Sequence, residues 1–232
     1  MEELKRMINE SDNIVFFGGA GVSTESGIPD FRSVDGLYNQ EYDYSPKTIL
    51  SSTFFKNNPK EFYRFYKNKM LITGIKPNQA HITLARLEYE DKLKAVITQN
   101  IDGLHQMAGS KNVLELHGSV YRNYCIKCKM SYGIDIIMEM DIPICKCGGI
   151  VKPDVVLYEE LLDNELLDKA AEYISKADVL IIGGTSLSVY PAAALIYYYT
   201  GDKLVMINKS ETSFDDGIDL LIRENIGYAL TL

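Results

Sequence analysis

The stretch NIVFFGGAGVS, residues 13–23, decides the fold of this chain. Its apolar half has the length of a buried strand, and its glycines end that strand in a tight turn. The same order recurs in ADVLIIGGTS, residues 177–186. Further β-rich runs and helical patterns alternate along the chain, at 94–98, 113–116, 164–176, 192–199 and 203–207. This alternation predicts an α/β fold, with a Rossmann-like parallel sheet and helices on both faces.

Two stretches interrupt the alternation. Residues 34–75 are rich in Tyr, Phe, Lys and Asn, which favours packed helices, and residues 121–152 carry all four cysteines. We therefore expect a Rossmann-like domain made of residues 1–33, 76–120 and 153–232. The helical insertion and the cysteine-bearing insertion are expected to form a smaller second domain.

Composition narrows the functional classes. The chain has 232 residues, 46% of them hydrophobic, and 24 Lys plus Arg against 32 Asp plus Glu, giving a formal net charge of -8. That balance argues against a protein that coats nucleic acid, because such binding depends on cations that neutralise phosphates. The charged start does not look like a secretory leader, and no apolar run has the length to span a bilayer. A cytoplasmic protein is expected.

The glycine turns are candidate phosphate-binding loops. Glycines after a buried strand, as in Gly19-Ala20-Gly21, let the backbone approach a pyrophosphate closely. Thr24 stands where the usual dinucleotide pattern has its third glycine, so a tight turn without a ligand remains an alternative. The second loop is Gly184-Thr185-Ser186, in which Ser186 has the alternative role of a helix N-cap.

Three polar residues follow two predicted strands. Asn100 and Asp102 come after the run that ends at Thr98, and His117 comes after the run 113–116. The carboxyl ends of parallel strands are where such folds bind ligands, and a histidine there can serve as a general base. The alternatives are a helix cap for Asn100, a turn at Asp102 and a structural role for the histidine.

The cysteines form two close pairs, Cys125 with Cys128 and Cys145 with Cys147, separated by 16 residues. This spacing lets two knuckles converge on one tetrahedral metal ion. In a reducing compartment, structural Zn²⁺ is favoured over disulfides or unrelated free thiols. Four thiolates leave no open position for an activated water, so the metal is expected to be structural.

Six motifs together resemble a known family. GAGVSTESGIPDFRS, TQNIDGLH, LHGS, the cysteine cluster, KPDVVLYEE and GTSLSVYPAA occur in the order and approximate spacing of the sirtuins, over nearly the whole chain. The resemblance is to bacterial-type members of these NAD-dependent protein deacylases. It implies that acyl-lysine, NAD and water are converted to lysine, nicotinamide and O-acyl-ADP-ribose.

The resemblance also assigns roles to residues. His117 would be the general base that acts on the ribose of NAD, and Asn100 and Asp102 would hold the nicotinamide amide and a water. The remaining NAD contacts would be Gly19, Ala20, Gly21, Thr24, Asp30, Phe31, Arg32, Gln99, Ile101, Gly184, Thr185, Ser186, Asn208 and Ile226. For Asn208, a turn former is the alternative.

Acyl-lysine binding is assigned in the same way to Val156, Tyr158, Val189 and Tyr66. The run 155–158 has the alternative of a core strand. Glu159, where many members have glycine, is expected to point outward. Succinyl-preferring members carry an Arg three positions after a Tyr, whereas Lys69 follows Tyr66 here and lacks the guanidinium fork, so an acetyl group is predicted.

Two other functions keep the same NAD site. One is transfer of ADP-ribose to protein, or to water as an NAD glycohydrolase, and the other is a non-catalytic scaffold that senses NAD. Neither nucleic acid nor a membrane is an expected partner. The sequence does not set the oligomeric state and is compatible with a monomer.

Overall fold

The computed structural model describes residues 1–30, 43–72, 74–212 and 214–231. These ranges contain a parallel main sheet of six strands, ordered β3-β2-β1-β7-β8-β9. Its members are β1 (Ile14–Gly18), β2 (Leu93–Thr98), β3 (Val113–Glu115), β7 (Val179–Gly183), β8 (Leu204–Ile207) and β9 (Leu220–Ile222). A second, antiparallel sheet has the order β5-β4-β6, with β4 (Gly118–Cys125), β5 (Ser131–Tyr132) and β6 (Val151–Val155). The predicted α/β fold with a parallel sheet is confirmed.

Helices cover both faces of the main sheet. In the described ranges the α-helices are α1 (Glu2–Asn9), α2 (Pro46–Ile49), α3 (Ser52–Asn57), α4 (Pro59–Phe65), α5 (Gln79–Tyr89), α6 (Leu104–Ala108), α7 (Asp135–Glu139), α8 (Asn164–Lys176) and α9 (Ile226–Ala229). A 3-10 helix spans Ala192–Tyr198 and a π-helical turn spans Tyr66–Met70. None of the described helices is long and apolar enough to cross a bilayer.

Two apolar cores lie on opposite faces of the main sheet. Side chains of a strand point alternately to its two faces. Ile14 and Phe16 therefore join a first core with α1, α5 and α9, whereas Val15 and Phe17 join a second core with α8 and the 3-10 helix. Burial on both faces explains why β1 is apolar throughout, with all five of its residues buried.

A third core lies away from the main sheet. It combines buried residues of the helical segment 49–71 with buried residues between 120 and 157, a range that contains the cysteine-bearing segment 121–152. Tyr63 and Tyr66 are fully buried there, and the Tyr63 hydroxyl donates to the Val151 carbonyl oxygen at 2.5 Å. The two insertions thus share apolar contacts within the described ranges, although residues 34–42 lie outside them.

The order of strands places a crevice beside β1. Gly18 at the end of β1 pairs with Thr98 of β2 on one side and with Gly183 of β7 on the other. From β1 the chain continues to β2 and β3 on one side of β1. It then forms β7, β8 and β9 on the other side, so the direction of strand order reverses at β1. Ligands of open α/β sheets bind at this switch point, outside the carboxyl ends of the strands.

Two buried histidines, His81 in α5 and His105 in α6, pack against each other. The rings of His81 and His105 lie 4.7 Å apart between centroids and are at most 1% exposed. Burial lowers the pKa of His81 to about 4 and that of His105 to about 3. Both are therefore neutral in the folded protein near neutral pH.

This burial predicts a loss of stability in mild acid. Below the ordinary histidine pKa of 6.5 the unfolded chain binds protons that the folded chain excludes, so stability falls as pH falls from about 6.5 toward 4. The slope is about 1.4 kcal/mol per pH unit for each histidine. Urea unfolding of the wild type and of His105→Leu between pH 4 and 8 tests this, with a shallower slope expected for the variant. Equal slopes would refute it.

Candidate active site

The two glycine loops meet at the crevice. The Gly21 amide donates to the Gly184 carbonyl oxygen at 2.8 Å, and the Gly19 amide donates to the Gly183 carbonyl oxygen at 3.1 Å. A Cβ atom at Gly21 would lie 2.8 Å from the Gly184 oxygen, and one at Gly19 would lie 2.8 Å from Thr185 Cβ. Contact between the loops therefore requires these glycines whether or not a ligand is bound. The same contact holds both loops at one edge of the sheet.

A buried hydroxyl joins the polar residues of the next strand end. Ser23 Oγ donates to Asp102 Oδ2 at 2.6 Å, and Asn100 Nδ2 donates to Ser23 Oγ at 3.1 Å. Burial raises the pKa of Asp102, and the Ser23 hydroxyl and the Leu104 amide offset part of that rise. Sequence reasoning did not select Ser23, because its partner lies 79 positions along the chain. Its place in the glycine loop was the available signal.

The structure bears out the turn alternative for Asp102 but not the helix-cap alternative for Asn100. The Asp102 carboxylate does form a turn-type hydrogen bond, because its Oδ1 accepts from the Leu104 amide at 2.9 Å. It therefore has a local role as well as its contact with Ser23. Asn100 is not a helix cap, since α6 begins at Leu104 with Gly103 as its N-cap. Its side chain is directed to Ser23 instead.

His117 lies beside this group with a defined tautomer. Its Nδ1 is 2.9 Å from the Gln99 carbonyl oxygen, and a carbonyl oxygen only accepts, so Nδ1 carries the proton. Nε2 is then the unprotonated nitrogen, as a general base needs. Burial lowers the pKa of His117, partly offset by the Gln99 carbonyl, so the ring is held neutral near pH 7.

The backbone around His117 is fixed by close packing. Gly118 has a φ of +80°, and a Cβ atom there would lie 1.9 Å from the Asp154 carbonyl oxygen, so glycine is required. The Val156 amide donates to the His117 carbonyl oxygen at 3.0 Å. Gln99 is tied to the first loop, because its amide donates to the Gly18 carbonyl oxygen at 3.0 Å. The histidine is thus held from both sides.

The four cysteines form one cluster. Their sulfur atoms all lie within 4.8 Å of one another, with 3.4 Å between Cys125 and Cys147 and 3.6 Å between Cys128 and Cys145. Sulfur ligands of a tetrahedral zinc ion with bonds of about 2.3 Å lie about 3.8 Å apart, so the donor set fits zinc. All four thiols are free of disulfides. The predicted convergence of the two pairs is confirmed.

Comparison with known proteins places this geometry in a family. A family model described as the Sir2 family matches residues 19–191. The chain belongs to the Sir2 family. A protein of Clostridium perfringens named NAD-dependent protein deacetylase is 60% identical over 99% of this chain and 96% of its own length, and one of Clostridium acetobutylicum with the same name is 57% identical over the same shares.

Solved Sir2 structures agree with the fold of this Sir2 chain. A structure described as Sir2 with p53 peptide and NAD⁺ matches with a TM-score of 0.88 and 41% identity, covering 99% of this chain and 95% of its own. A Sir2 variant with deacetylated p53 peptide and 3'-O-acetyl-ADP-ribose matches with a TM-score of 0.90 and 40% identity over the same shares. The sirtuin resemblance stated from the motifs is confirmed.

Other predicted NAD contacts of the Sir2 chain lie around the crevice. Thr24 Oγ1 donates to the Gly21 carbonyl oxygen at 3.0 Å, and Gln99 Nε2 donates to Thr185 Oγ1 at 3.3 Å. Ala20, Asp30 and Ile101 are half-buried. Phe31 and Arg32 lie outside the described residues.

The remaining predicted contacts follow β7 and β8 or lie in α9. Asn208 directly follows β8, and its Nδ2 donates to the Ser210 carbonyl oxygen at 2.8 Å, which is the turn-forming alternative. Ser186 is exposed and does not cap a helix, since the 3-10 helix that follows has Pro191 as its N-cap. Ile226 is only 4% exposed and belongs to the first core, against Gly183.

The predicted acyl-lysine residues fall in two environments. Val156, Tyr158 and Val189 are half-buried, and the first two follow β6 rather than lying in it. Tyr66 is fully buried in the third core and stacks on Phe62, with 5.6 Å between ring centroids. Burial raises the pKa of the Tyr66 hydroxyl, which has no hydrogen-bond partner among the described residues.

Glu159 has the backbone conformation that glycine usually adopts. Its φ is +76°, in the left-handed region that disfavours side chains. Its exposed carboxylate accepts from the Thr53 amide at 2.9 Å, near the start of α3. The Thr53 hydroxyl and amide hold the pKa of Glu159 below its usual value. The residue is exposed as expected, and its carboxylate caps a helix.

One hydroxyl contacts the cysteine cluster directly. Tyr132 Oη donates to Cys145 Sγ at 3.0 Å. Partners of this kind orient metal ligands, and their loss typically costs about 10 to 100-fold in metal affinity. Tyr132→Phe is therefore expected to lose zinc to a colorimetric chelator about tenfold faster. Tyr124→Phe, on the neighbouring strand, is the control, and equal release rates for the two variants would contradict the prediction.

Proposed function

We propose that this Sir2 protein is an NAD-dependent protein lysine deacetylase. In the proposed reaction, acetyl-lysine, NAD and water give lysine, nicotinamide and O-acetyl-ADP-ribose. The observation that carries the proposal is the neutral His117, with Nε2 unprotonated, whose ring is held by the Gln99 carbonyl oxygen and whose own carbonyl oxygen is held by the Val156 amide. The names of the curated relatives support the same activity.

The crevice fits a dinucleotide. Gly21 and Gly184 are half-buried and carry no side chain, so none blocks the approach of a pyrophosphate to their backbones. Asn100 and Asp102 would hold the nicotinamide amide. Asn208 would contact the adenosine ribose, and Ile226 is a further proposed NAD contact. Bound NAD supplies a sugar carbon whose bond to nicotinamide breaks readily.

His117 handles the proton in the proposed reaction. Its Nε2 takes a proton from a ribose hydroxyl, while Nδ1–H continues to donate to the Gln99 carbonyl oxygen. That carbonyl stabilises the imidazolium form, which burial disfavours. The lowered pKa keeps the base available in the physiological range.

The substrate is an acetylated lysine of a protein or peptide, bound along Val156, Tyr158 and Val189. Tyr66 would support this region from within the third core. Residues 1–33, 76–120 and 153–232 would form the NAD-binding domain, and 34–75 with 121–152 the small zinc-binding domain; the shared core of the two insertions supports this division. A reducing cytoplasm suits the four free thiols.

One assay separates the candidate functions. The protein is incubated with NAD and an acetylated peptide, and nicotinamide and free lysine are quantified. Equal amounts of both are expected. Nicotinamide without deacetylated peptide would instead establish ADP-ribose transfer or NAD hydrolysis. Binding of NAD without release of nicotinamide would establish a sensing scaffold.

A further inference from the structure

An ion pair between a buried lysine and a half-buried glutamate flanks the segment assigned to acyl-lysine. Lys152 Nζ is 3.0 Å from Glu160 Oε2, and the two side chains are 7% and 28% exposed. Lys152 lies on β6, and Glu160 follows the half-buried Val156 and Tyr158 by a few residues. The pair therefore brackets the segment 156–158 along the chain.

Lys152 is bonded to the backbone of the same segment. Its Nζ donates to the carbonyl oxygens of Val155 at 2.8 Å and Pro153 at 3.3 Å. A buried ammonium group is costly unless it is paired and hydrogen-bonded. Glu160 is its one carboxylate partner within the ranges that the structure describes. The carbonyl oxygens of this segment thus hold the ammonium group in place, and the ammonium group in turn stabilises the conformation of the segment.

Glu160 completes the connection on the other side. Its Oε2 also accepts from the Leu157 amide at 2.9 Å, and its Oε1 accepts from Ser52 Oγ at 3.3 Å. The Ser52 amide in turn donates to the Tyr158 carbonyl oxygen at 3.0 Å. One carboxylate therefore links the turn 157–160, the start of α3 and the buried ammonium.

None of these contacts involves the glycine loops. The contacts of the pair lie within residues 151–160 and at Ser52, whereas the NAD crevice is built from residues 18–24, 98–102 and 183–186. Among the described residues, the two regions are connected through the bond from the Val156 amide to the His117 carbonyl oxygen, through the pairing of β6 with β4 and through Ile101, which packs against the third core. Breaking the ion pair is therefore expected to change the conformation of segment 156–158 more than that of the crevice.

We infer that Lys152 and Glu160 are positioning residues that set the path of segment 156–160 and thereby the affinity for the acylated peptide, separately from the affinity for NAD. The inference rests on the proposed function, because it takes Val156 and Tyr158 as the surface for acyl-lysine. Neither residue needs to touch the substrate. Their effect passes through the backbone that they hold.

The first test is Glu160→Gln, which keeps an oxygen for the Leu157 amide and removes the counterion of Lys152. The KM for an acetylated peptide is expected to rise about tenfold, because a misplacement of about 1 Å can cost about a hundredfold and a smaller displacement is expected here. The KM for NAD should stay within about twofold. Glu172→Gln, which breaks the exposed pair of Glu172 with Lys176, is the matched control and should change neither constant.

A double variant separates positioning from folding. Lys152→Met with Glu160→Leu removes both charges, and apolar replacement of a buried pair is often neutral or stabilising. It also removes the acceptor of the Leu157 amide. Glu160→Gln leaves the Lys152 ammonium without its counterion and should lower the melting temperature. The double variant should melt close to the wild type while its peptide KM stays about tenfold high.

The outcomes are distinct. Recovery of the peptide KM together with the melting temperature would overturn the inference, as would a parallel rise of both KM values in Glu160→Gln. If the wild type consumes NAD without releasing lysine, the proposed function fails and this inference falls with it. If the wild type is active and the variants bind peptide normally, only the inference fails.

Discussion

His117→Ala is expected to lower kcat by about 10³-fold, within the range that general acid-base catalysis supplies. The variant removes Nε2, the unprotonated nitrogen that the Gln99 carbonyl oxygen fixes by accepting from Nδ1. It leaves the glycine loops and the Ser23–Asn100–Asp102 group without a lost contact. Turnover should therefore fall while the Kd for NAD, measured by calorimetry, changes little.

The wild-type pH profile provides a second measurement on the same residue. Burial lowers the pKa of His117, so the base stays deprotonated below the ordinary value of 6.5. The acid limb of kcat/KM should lie below pH 6.5 and vanish in the residual activity of His117→Ala. Measurements stay above about pH 5, where the buried His81 and His105 are still neutral in the folded protein. Undiminished turnover in the variant would remove His117 from the mechanism.

Loss of the metal is the second large effect. Cys125 and Cys145 are buried within the third core, at 0% and 3% exposure, so the ligand cluster is part of the packing of that region. Structural zinc contributes apparent binding free energies of about 10–16 kcal/mol in small domains, and that energy is folding energy. Cys145→Ser, or removal of zinc by a chelator, is expected to unfold the segment 121–152.

Calorimetry and activity together test this expectation. The melting temperature should fall by more than about 10 °C on chelation, given a loss of several kcal/mol, and should recover when Zn²⁺ is restored. Tyr132→Phe keeps all four ligands and should melt close to the wild type. An unchanged melting temperature after complete removal of zinc would show that the third core folds without it.

The strands of the main sheet were predictable where local pattern and burial agree. β1 and β7 are apolar throughout and end in glycine, and α8 matches the range 164–176 read from its periodicity. β9 was not predicted, because three residues with one buried side chain carry no pattern. β4 was not predicted as a strand either, since its irregular burial and the register shift between Ser119 and Asn123 hide the alternation.

Some residues of the candidate site were predictable from the sequence, and others were not. His117, Asn100 and Asp102 each follow a strand of the main sheet, so the topology alone brings them to one edge. The contact of Ser23 with Asp102 spans 79 positions, and no local pattern encodes it. The Lys152–Glu160 pair spans only eight positions, but it depends on the turn after β6, which the sequence pattern does not specify. The glycine at 21 was predicted for a ligand, and the structure gives it a second cause in the Gly184 backbone.

The attachment of His117 has a mechanical consequence. Its ring is fastened through Nδ1 to the strand end that carries Gln99, and its carbonyl is fastened to Val156 beyond β6. A sliding movement between these two supports would shift the base by the same amount. The turnover rate should therefore depend on how rigidly the end of β2 and the segment after β6 are held relative to each other. Pressure or viscosity that alters this movement should change turnover before the protein melts.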